Sequence, residues 1–335
     1  MSELTAERAA PSAAAPADEA MSQLEQYRVE LTGYCYRMLG SAFEAEDAVQ
    51  ETLVRAWRGI DRFEGRAALR SWLYRIATNV CLSMLTASQR RARPMDLAPA
   101  TGADTPLPAA LPEAAWIEPV PDSSVVPDGD PAAVAVARES VRLAFVAALQ
   151  HLPPKQRAVL ILREVLRWRA DEVAELLDTT VASVNSALQR ARSTISATHA
   201  DDAQPSEPSD EAERALLARY VDAFERYDMD SLTALLRHDA TWNMPPYDLW
   251  LQTHDDIRAW CLGPGIGCRG SRLVPTVANG SPAFGQYKPS DKPGVWEPWS
   301  LQVLEISGGR ISGITFFLDT ARFFPAFGLP VRLEA

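Results

Sequence analysis

The chain has no apolar run long enough to cross a bilayer, so no transmembrane helix is expected. Its first 21 residues lack the basic start and apolar centre of a signal peptide. They are Ala- and Pro-rich and acidic, and read as a disordered leader on a cytoplasmic protein. Cysteine is scarce: Cys35, Cys81, Cys261 and Cys268 are widely scattered, with no CxxC pair among them. His254, Cys261 and Cys268 recur every seven residues, but three soft ligands interrupted by a Gly-Pro break favour packed thiols over a metal site. No metal and no cofactor is expected. A positive charge balance is missing too, and the net charge of −11 taken as one number argues against a nucleic-acid partner.

Taken by segment, the charge says otherwise. Residues 1–21 carry −3, 22–93 carry +3, 94–137 carry −7, 138–200 carry +3 and 201–335 carry −7. DNA responds to the patch within a Debye length, not to the total. A chain of 335 residues holds two or three domains of ordinary size, and the charge blocks suggest where they lie: a leader at 1–21, helical blocks at 22–93 and 138–200, a linker at 94–137, a hinge at 201–212 and a further domain at 213–335.

The most telling stretch is 166–195, LRWRADEVAELLDTTVASVNSALQRARSTI. Ala170, Val173, Ala174 and Leu177 fall at helical spacing. Asp178-Thr179-Thr180 breaks the pattern and offers side-chain oxygens to cap a second helix. In that helix Val184, Leu188, Ala191 and Ile195 face inward, while Ser183, Asn185, Ser186, Gln189, Arg190 and Arg192 face out. This spacing predicts a helix-turn-helix whose outer face of amides, hydroxyls and guanidiniums suits base edges and phosphates. The plainer alternative is a helical hairpin with a polar face.

Residues 22–93 are helical throughout. Leu31, Tyr34, Cys35, Met38 and Leu39 form one apolar stripe that Gly40 ends. Ala45, Ala48, Val49, Leu53, Ala56, Trp57 and Ile60 form a second, with Asp47, Gln50, Glu51 and Arg55 outside. Leu69, Leu73, Ile76, Ala77, Val80 and Leu85 form a third. Residues 65–93 hold Arg66, Arg70, Arg75, Arg90, Arg91 and Arg93 and no carboxylate. A like-charged run is usually a solvated face, but Trp72, Tyr74 and Asn79 among these arginines suit unstacked single-stranded bases.

These residues carry a resemblance. AEDAVQETLVRAWRGIDRFEGRAALRSWLYRIATNVCLSML is similar to domain 2 of bacterial sigma factors, in the extracytoplasmic-function (ECF) group of the sigma-70 family. The resemblance implies that Asp47, Gln50 and Glu51 meet the β′ clamp helices of RNA polymerase core. It implies that Arg66, Arg70, Trp72, Tyr74, Arg75 and Asn79 bind the −10 promoter strand with a base flipped out. HLPPKQRAVLILREV followed by the helix-turn-helix resembles sigma domain 4. Thr180, Ser183, Asn185, Ser186, Gln189, Arg190 and Arg192 are then the −35 contacts, beside the polymerase β flap. Asp178 stands where the family commonly has a turn glycine, and Asn185 where it commonly has a basic residue. Asn185 suits adenine, and Arg190 and Arg192 suit phosphate.

The 94–137 linker holds seven acidic residues and neither Lys nor Arg, and its proline content favours an extended state. It spans at most ~145 Å stretched and roughly 40 Å as a coil, against ~70 Å between promoter elements about 20 base pairs apart. In the family the equivalent segment threads the polymerase cleft; a passive tether is the other reading.

Beyond the hinge, helices precede strand-like runs at 240–244, 272–277, 283–287, 299–306 and 311–318, with a helix at 253–261 and Ser307-Gly308-Gly309-Arg310 as a hairpin turn. The order implies helices over one face of an antiparallel sheet, an α+β layer. GSPAFGQYKP, WSLQVLEISGGRISGITFFLD and FFPAFGLP resemble the SnoaL-like cone-shaped α+β barrel that some ECF sigma factors carry. Trp242, Met244, His254, Tyr287 and Trp299, with Tyr247, Trp250, Trp260 and Phe284 near them, are candidates to line a small-molecule pocket, or else plain core. Asp239, His254 and Asp255 are the candidates for proton transfer, and no catalytic residue is assigned. The expected molecule is therefore multi-domain: two all-α sigma domains and a SnoaL-like domain acting on them in cis, with core polymerase and promoter DNA as partners. The rival readings are a one-component, ligand-sensing DNA-binding regulator and an enzyme tethered to a DNA-binding module.

Overall fold

Gly40 sets the end of the first long helix. Helix α1 (Arg28–Leu39) closes on this residue, whose φ of 73° is left-handed and whose N–H reaches the Tyr36 carbonyl at 2.8 Å. Ser41 then caps α2 (Ala42–Gly59), its Oγ accepting from the Glu44 N–H at 3.1 Å. With α3 (Leu69–Leu85) these helices enclose Leu31, Met38, Val49, Leu53, Leu73 and Ala77. The buried hydroxyls of Tyr34 and Thr78 pair at 2.8 Å. The chain is described here by a computed structural model covering residues 21–63, 68–86, 90–198 and 210–335. Most of the leader, most of the hinge, and Arg66 with its loop lie outside the described residues. One stripe differs from the sequence reading: Trp57 is 45% exposed, and Thr52 is buried instead. The seam runs through 45, 48/49, 52/53 and 56, so position 57 falls just past its edge.

The second helical unit comprises α5 (Leu143–Gln150), α6 (Pro154–Leu160), α7 (Ala170–Leu176) and α8 (Val181–Thr198). It follows α4 (Pro131–Glu139), which straddles the boundary expected at 137/138. A π-turn at Ile161–Val165 extends α6. Asp178 takes a φ of 50°, the conformation a turn glycine would supply, and Asp is among the residues that tolerate it. Thr180 caps α8, its Oγ1 accepting from the Ser183 N–H at 3.2 Å.

Two buried arginines join the units reciprocally. Arg37 of α1 donates to Ser140 Oγ at 2.6 Å and to the Ser140 carbonyl at 3.2 Å. Arg157 of α6 donates to Gln150 Oε1 at 2.6 Å and to the Met38 carbonyl. Burial lowers each to about 10, which leaves both charged at neutral pH.

The C-terminal unit runs α9 (Asp210–Arg226), α10 (Met229–Thr233), β1 (Leu236–Asn243), β2 (Trp250–Leu251), α11 (His254–Leu262), β3 (Arg272–Ala278), β4 (Ser281–Pro289), β5 (Val295–Ser307), β6 (Arg310–Phe317), α12 (Thr320–Ala326) and β7 (Leu333–Glu334). The sheet order is β2-β1-β6-β5-β4-β3, with β7 on β5. Every pairing is antiparallel except β1 with β6. The hairpins are legible from their turns; the parallel pair has no turn to announce it. The sheet is open, as a helix-filled cone requires, and both its faces are covered. Phe284, Leu304 and Ile314 pack with Tyr220 and Phe224 of α9, while Ala283, Tyr287, Leu301 and Val303 join the core of the helical units.

The acidic segment is not the free tether expected from its composition. It is a strap docked between the helical units and the sheet. Trp116, Ile117, Val120 and Val125 are buried in it. Thr101 N–H reaches the Trp250 carbonyl at 2.9 Å, and Leu111 N–H the Pro246 carbonyl at 2.9 Å. Proline and acid content describe the strap's own weak structure; the surfaces that order it lie up to about 210 residues further along the chain.

Candidate polymerase and promoter interfaces

On α2, Asp47, Gln50 and Glu51 are exposed on one face. They stand there because Ala45, Ala48, Val49 and Thr52 turn inward. Glu51 Oε1 accepts from Arg55 Nε at 2.6 Å, a pair of the helix surface.

The −10 candidates separate into three groups. Arg75 and Asn79 are exposed on α3, and Trp72 is half-buried beside Phe63 with ring centres 5.0 Å apart. Tyr74 is fully buried, its hydroxyl donating to Glu30 Oε1 at 2.7 Å, and so presents no face to a base in this arrangement. Arg70 ion-pairs with the same Glu30 and lies over the rings of Tyr74 and Trp168 at 5.3 and 5.5 Å. Among the remaining arginines, Arg91 is buried: it pairs with Glu44 at 2.7 Å and donates to the carbonyls of Glu113 and Trp116. That cation fastens the strap and is not part of a DNA surface.

Trp168 explains the burial of Tyr74. It precedes α7 and packs on the Tyr74 ring at 5.0 Å. Nearby, Arg75 Nη2 donates to the Glu175 carbonyl at 2.9 Å. The first helix of the helix-turn-helix therefore sits over the −10 candidate helix. Trp168 was not singled out from sequence, because a tryptophan beside a turn reads as local core.

The −35 candidates are grouped and open. Thr180, Ser183, Asn185, Ser186, Gln189, Arg190 and Arg192 are all exposed, over the buried Val184, Leu188 and Ala191. Arg190 donates to Ser186 Oγ at 2.7 Å, and Arg192 to Glu164 Oε1 at 2.5 Å. The Glu164 carboxylate thus competes with phosphate for one of the two guanidiniums.

The structure does not bring the C-terminal pocket candidates together. Trp242 is buried against Phe316 at 4.5 Å, and Met244 is half-buried near it. Tyr287 belongs to the opposite face, packed on Phe324. His254 Nε2 bonds the Arg237 carbonyl at 2.8 Å, and Trp299 is 39% exposed under the Lys288 ammonium. These side chains come from β1 or just after it, α11, β4 and β5 and lie on different faces, so aromatic content alone is a poor guide to a pocket. Asp239 is held below the usual carboxylate range by the Arg237 guanidinium bonded to it. Inside the cone the polar groups are tied to one another: Tyr220 to Gln302, Gln302 and Ser300 to Gln286, and Gln286 to Ser271. Among the described residues no group of three or more His, Cys, Asp or Glu is placed to hold a metal, and no helix is long and apolar enough to cross a membrane.

The β3–β4 turn was visible in sequence only as an Asn-Gly dipeptide, yet it enters a buried socket. Asn279 Nδ2 donates to Tyr36 Oη at 2.6 Å and to the Val141 carbonyl at 2.8 Å, and its Oδ1 accepts from Val120 N–H at 3.0 Å. Gly280 N–H reaches Asp122 Oδ1 at 2.7 Å. One turn thus touches the first helical unit, the strap and the start of the second.

Comparison with known proteins identifies the two helical units. Sigma-70 region 2 matches residues 24–91 and Sigma-70, region 4 matches residues 142–195. The ECF RNA polymerase sigma factor SigG of Mycobacterium tuberculosis is 44% identical over 331 residues, covering 95% of this chain and 87% of that protein. The SigJ factor of the same species is 29% identical over 66% of this chain and 64% of its own length. The crystal structure of SigJ superposes with a TM-score of 0.60 at 21% identity, covering 92% of this chain and 99% of that one, which extends the shared fold through the C-terminal sheet. The one-component reading gives way: two sigma-70 regions, joined to a helix-covered α+β sheet, make this chain a member of the ECF sigma factors, which bind RNA polymerase and direct transcription initiation.

Proposed function

We propose that this sigma factor is held closed by its own C-terminal domain and acts at promoters after that closure opens. The supporting observation is the contact between the −10 candidate helix and the first helix of the helix-turn-helix. Arg75 on α3 donates to Glu175 on α7 at 2.9 Å, whereas −10 and −35 elements about 20 base pairs apart lie ~70 Å apart on B-DNA. The two helical units cannot read both elements while they touch. Asn279 and Gly280 hold the units and the strap in register.

In the open form, Asp47, Gln50 and Glu51 meet the clamp helices of core polymerase, and the second unit docks on the flap. Arg66, Arg70, Trp72, Tyr74, Arg75 and Asn79 take the −10 strand, with Tyr74 uncovered as Trp168 withdraws. Thr180, Ser183, Asn185, Ser186, Gln189, Arg190 and Arg192 read the −35 element. The C-terminal domain serves as a regulator without catalysis of its own, open to control by a small ligand, and the protein works in the cytoplasm beside polymerase.

The test uses Gly280→Val in the full chain. Even the first carbon of a side chain here would lie 2.5 Å from the Arg138 carbonyl oxygen, at a φ of 66°, so the turn is expected to leave its socket. Distance measurement between dyes on α2 and α8, with run-off transcription on core polymerase, should show wider separation and more open complex. Unchanged distance and unchanged transcription would remove the proposal.

A further inference from the structure

Between the strap and the sheet lies a cavity of about 440 Å³, a size that takes a small organic molecule. Three segments wall it: residues 111–118 of the strap, 245–247 between β1 and β2, and 317–323 from β6 into α12. Its walls are mostly apolar and rich in rings, with Trp116, Tyr247, Phe317 and Phe323 among them.

Its charges are unbalanced. Arg322 Nη1 lies 2.5 Å from Glu113 Oε2, 3.3 Å from Glu118 Oε1 and 3.6 Å from Asp319 Oδ2. The guanidinium also lies 4.0 Å over the Phe43 ring. One cation among three carboxylates leaves the wall net negative.

We infer that this seam binds a flat aromatic amine: an organic cation whose ring lies among the aromatic walls and whose ammonium faces Glu113 and Asp319. Aromatic faces and surplus carboxylate both favour a cation, and an anion would meet three carboxylates of like sign. The site is separate from the cone interior, where the polar groups already satisfy one another. The strap forms one wall and the sheet the others, so an occupant favours their docking by mass action. That regulatory consequence rests on the closed-form reading; the binding does not.

The experiment titrates acridine orange, an aromatic cation, into the DNA-free full chain by fluorescence, with anilinonaphthalene sulfonate as the anionic counterpart. One saturable site is expected for the cation. Glu113→Gln combined with Asp319→Asn should weaken it at least ~10-fold, the electrostatic share of a small site, and Leu111→Trp should abolish it by filling the cavity. Asp291→Asn combined with Glu297→Gln removes the same charge elsewhere and should change nothing. Equal weakening by that control, indifference to Leu111→Trp, or preference for the sulfonate would each overturn the site. Hydrogen exchange separates the two claims: slowing at Leu111 and Trp116 reports occupancy, and slowing that spreads to α7 reports closure. Protection confined to the strap would keep the site and refute the link to closure.

Discussion

Asn279 commits its side chain to three buried hydrogen bonds with three different parts of the molecule. Its φ of 56° is one that Asn tolerates and Ala does not. Asn279→Ala leaves buried partners unpaired, and is expected to cost about 2–4 kcal/mol in urea unfolding; a loss under ~1 kcal/mol would show that the turn is not what holds the units together. Glu118 makes a second prediction at this scale. Burial raises its carboxyl above the ordinary 4.5, against the pull of Ser41, Arg91 and Arg322 and with a smaller push from Glu44. Burial raises Asp122 in the same direction. A carboxyl with a raised folded value makes docking most stable below 4.5, and that stability is lost as pH rises through the raised value. Stability measured from 4.5 towards neutrality should therefore fall, and Glu118→Gln should flatten the slope; a wild-type chain that tightens as pH rises would contradict the assignment.

Helix α8 combines a structural start with a reading face, and the two can be separated. Thr180→Ala removes the cap and should cost about 1 kcal/mol, seen as faster hydrogen exchange in the first turn of the helix. Asn185→Ala leaves the helix intact and should relax base preference at one −35 position, while Arg190→Ala should lower the salt slope of promoter binding by about 1. If Asn185→Ala weakens all sequences equally, the residue holds phosphate and does not read a base. At this scale the sequence was most informative. The stripes through Val184, Leu188 and Ala191, the caps at Ser41 and Thr180, and the Ser307–Arg310 turn all have causes within a few residues of themselves. The strap did not, since nothing near Trp116 or Val120 in the chain shows that Ala92, Asn279 and the sheet will cover them. The −10 surface was half legible for the same reason: the spacing of Arg70, Tyr74 and Arg75 is local, whereas their engagement by Glu30, Trp168 and Glu175 is not. Ring content alone does not choose between pocket lining and core in the C-terminal unit, because the alternation along β4 sends Phe284 and Tyr287 to opposite faces.

A single apolar core runs from Leu24 through both helical units to Tyr287 and Phe324 of the C-terminal unit. Such continuity predicts cooperative unfolding across what the sequence divides into three domains. Far-ultraviolet circular dichroism, which follows the helices, and tryptophan fluorescence should give coincident urea transitions; two separated transitions would mean that the units are joined only loosely. Under the proposed closure, the closed and promoter-bound states differ by the exposure of part of that core, which core polymerase then covers. The seat of Asn279 carries one more consequence, in time. It meets a tyrosine 243 residues earlier in the chain, and ribosomes add about 5–20 residues per second. Asn279 also lies about 190 residues beyond Leu85, the end of α3, so under the proposed closure every newly made copy passes roughly 10–40 s with its first helical unit finished and its restraint not yet synthesised. In that interval the nascent chain would meet polymerase unrestrained, making the age of the molecule, and not only its surroundings, a variable in its activity.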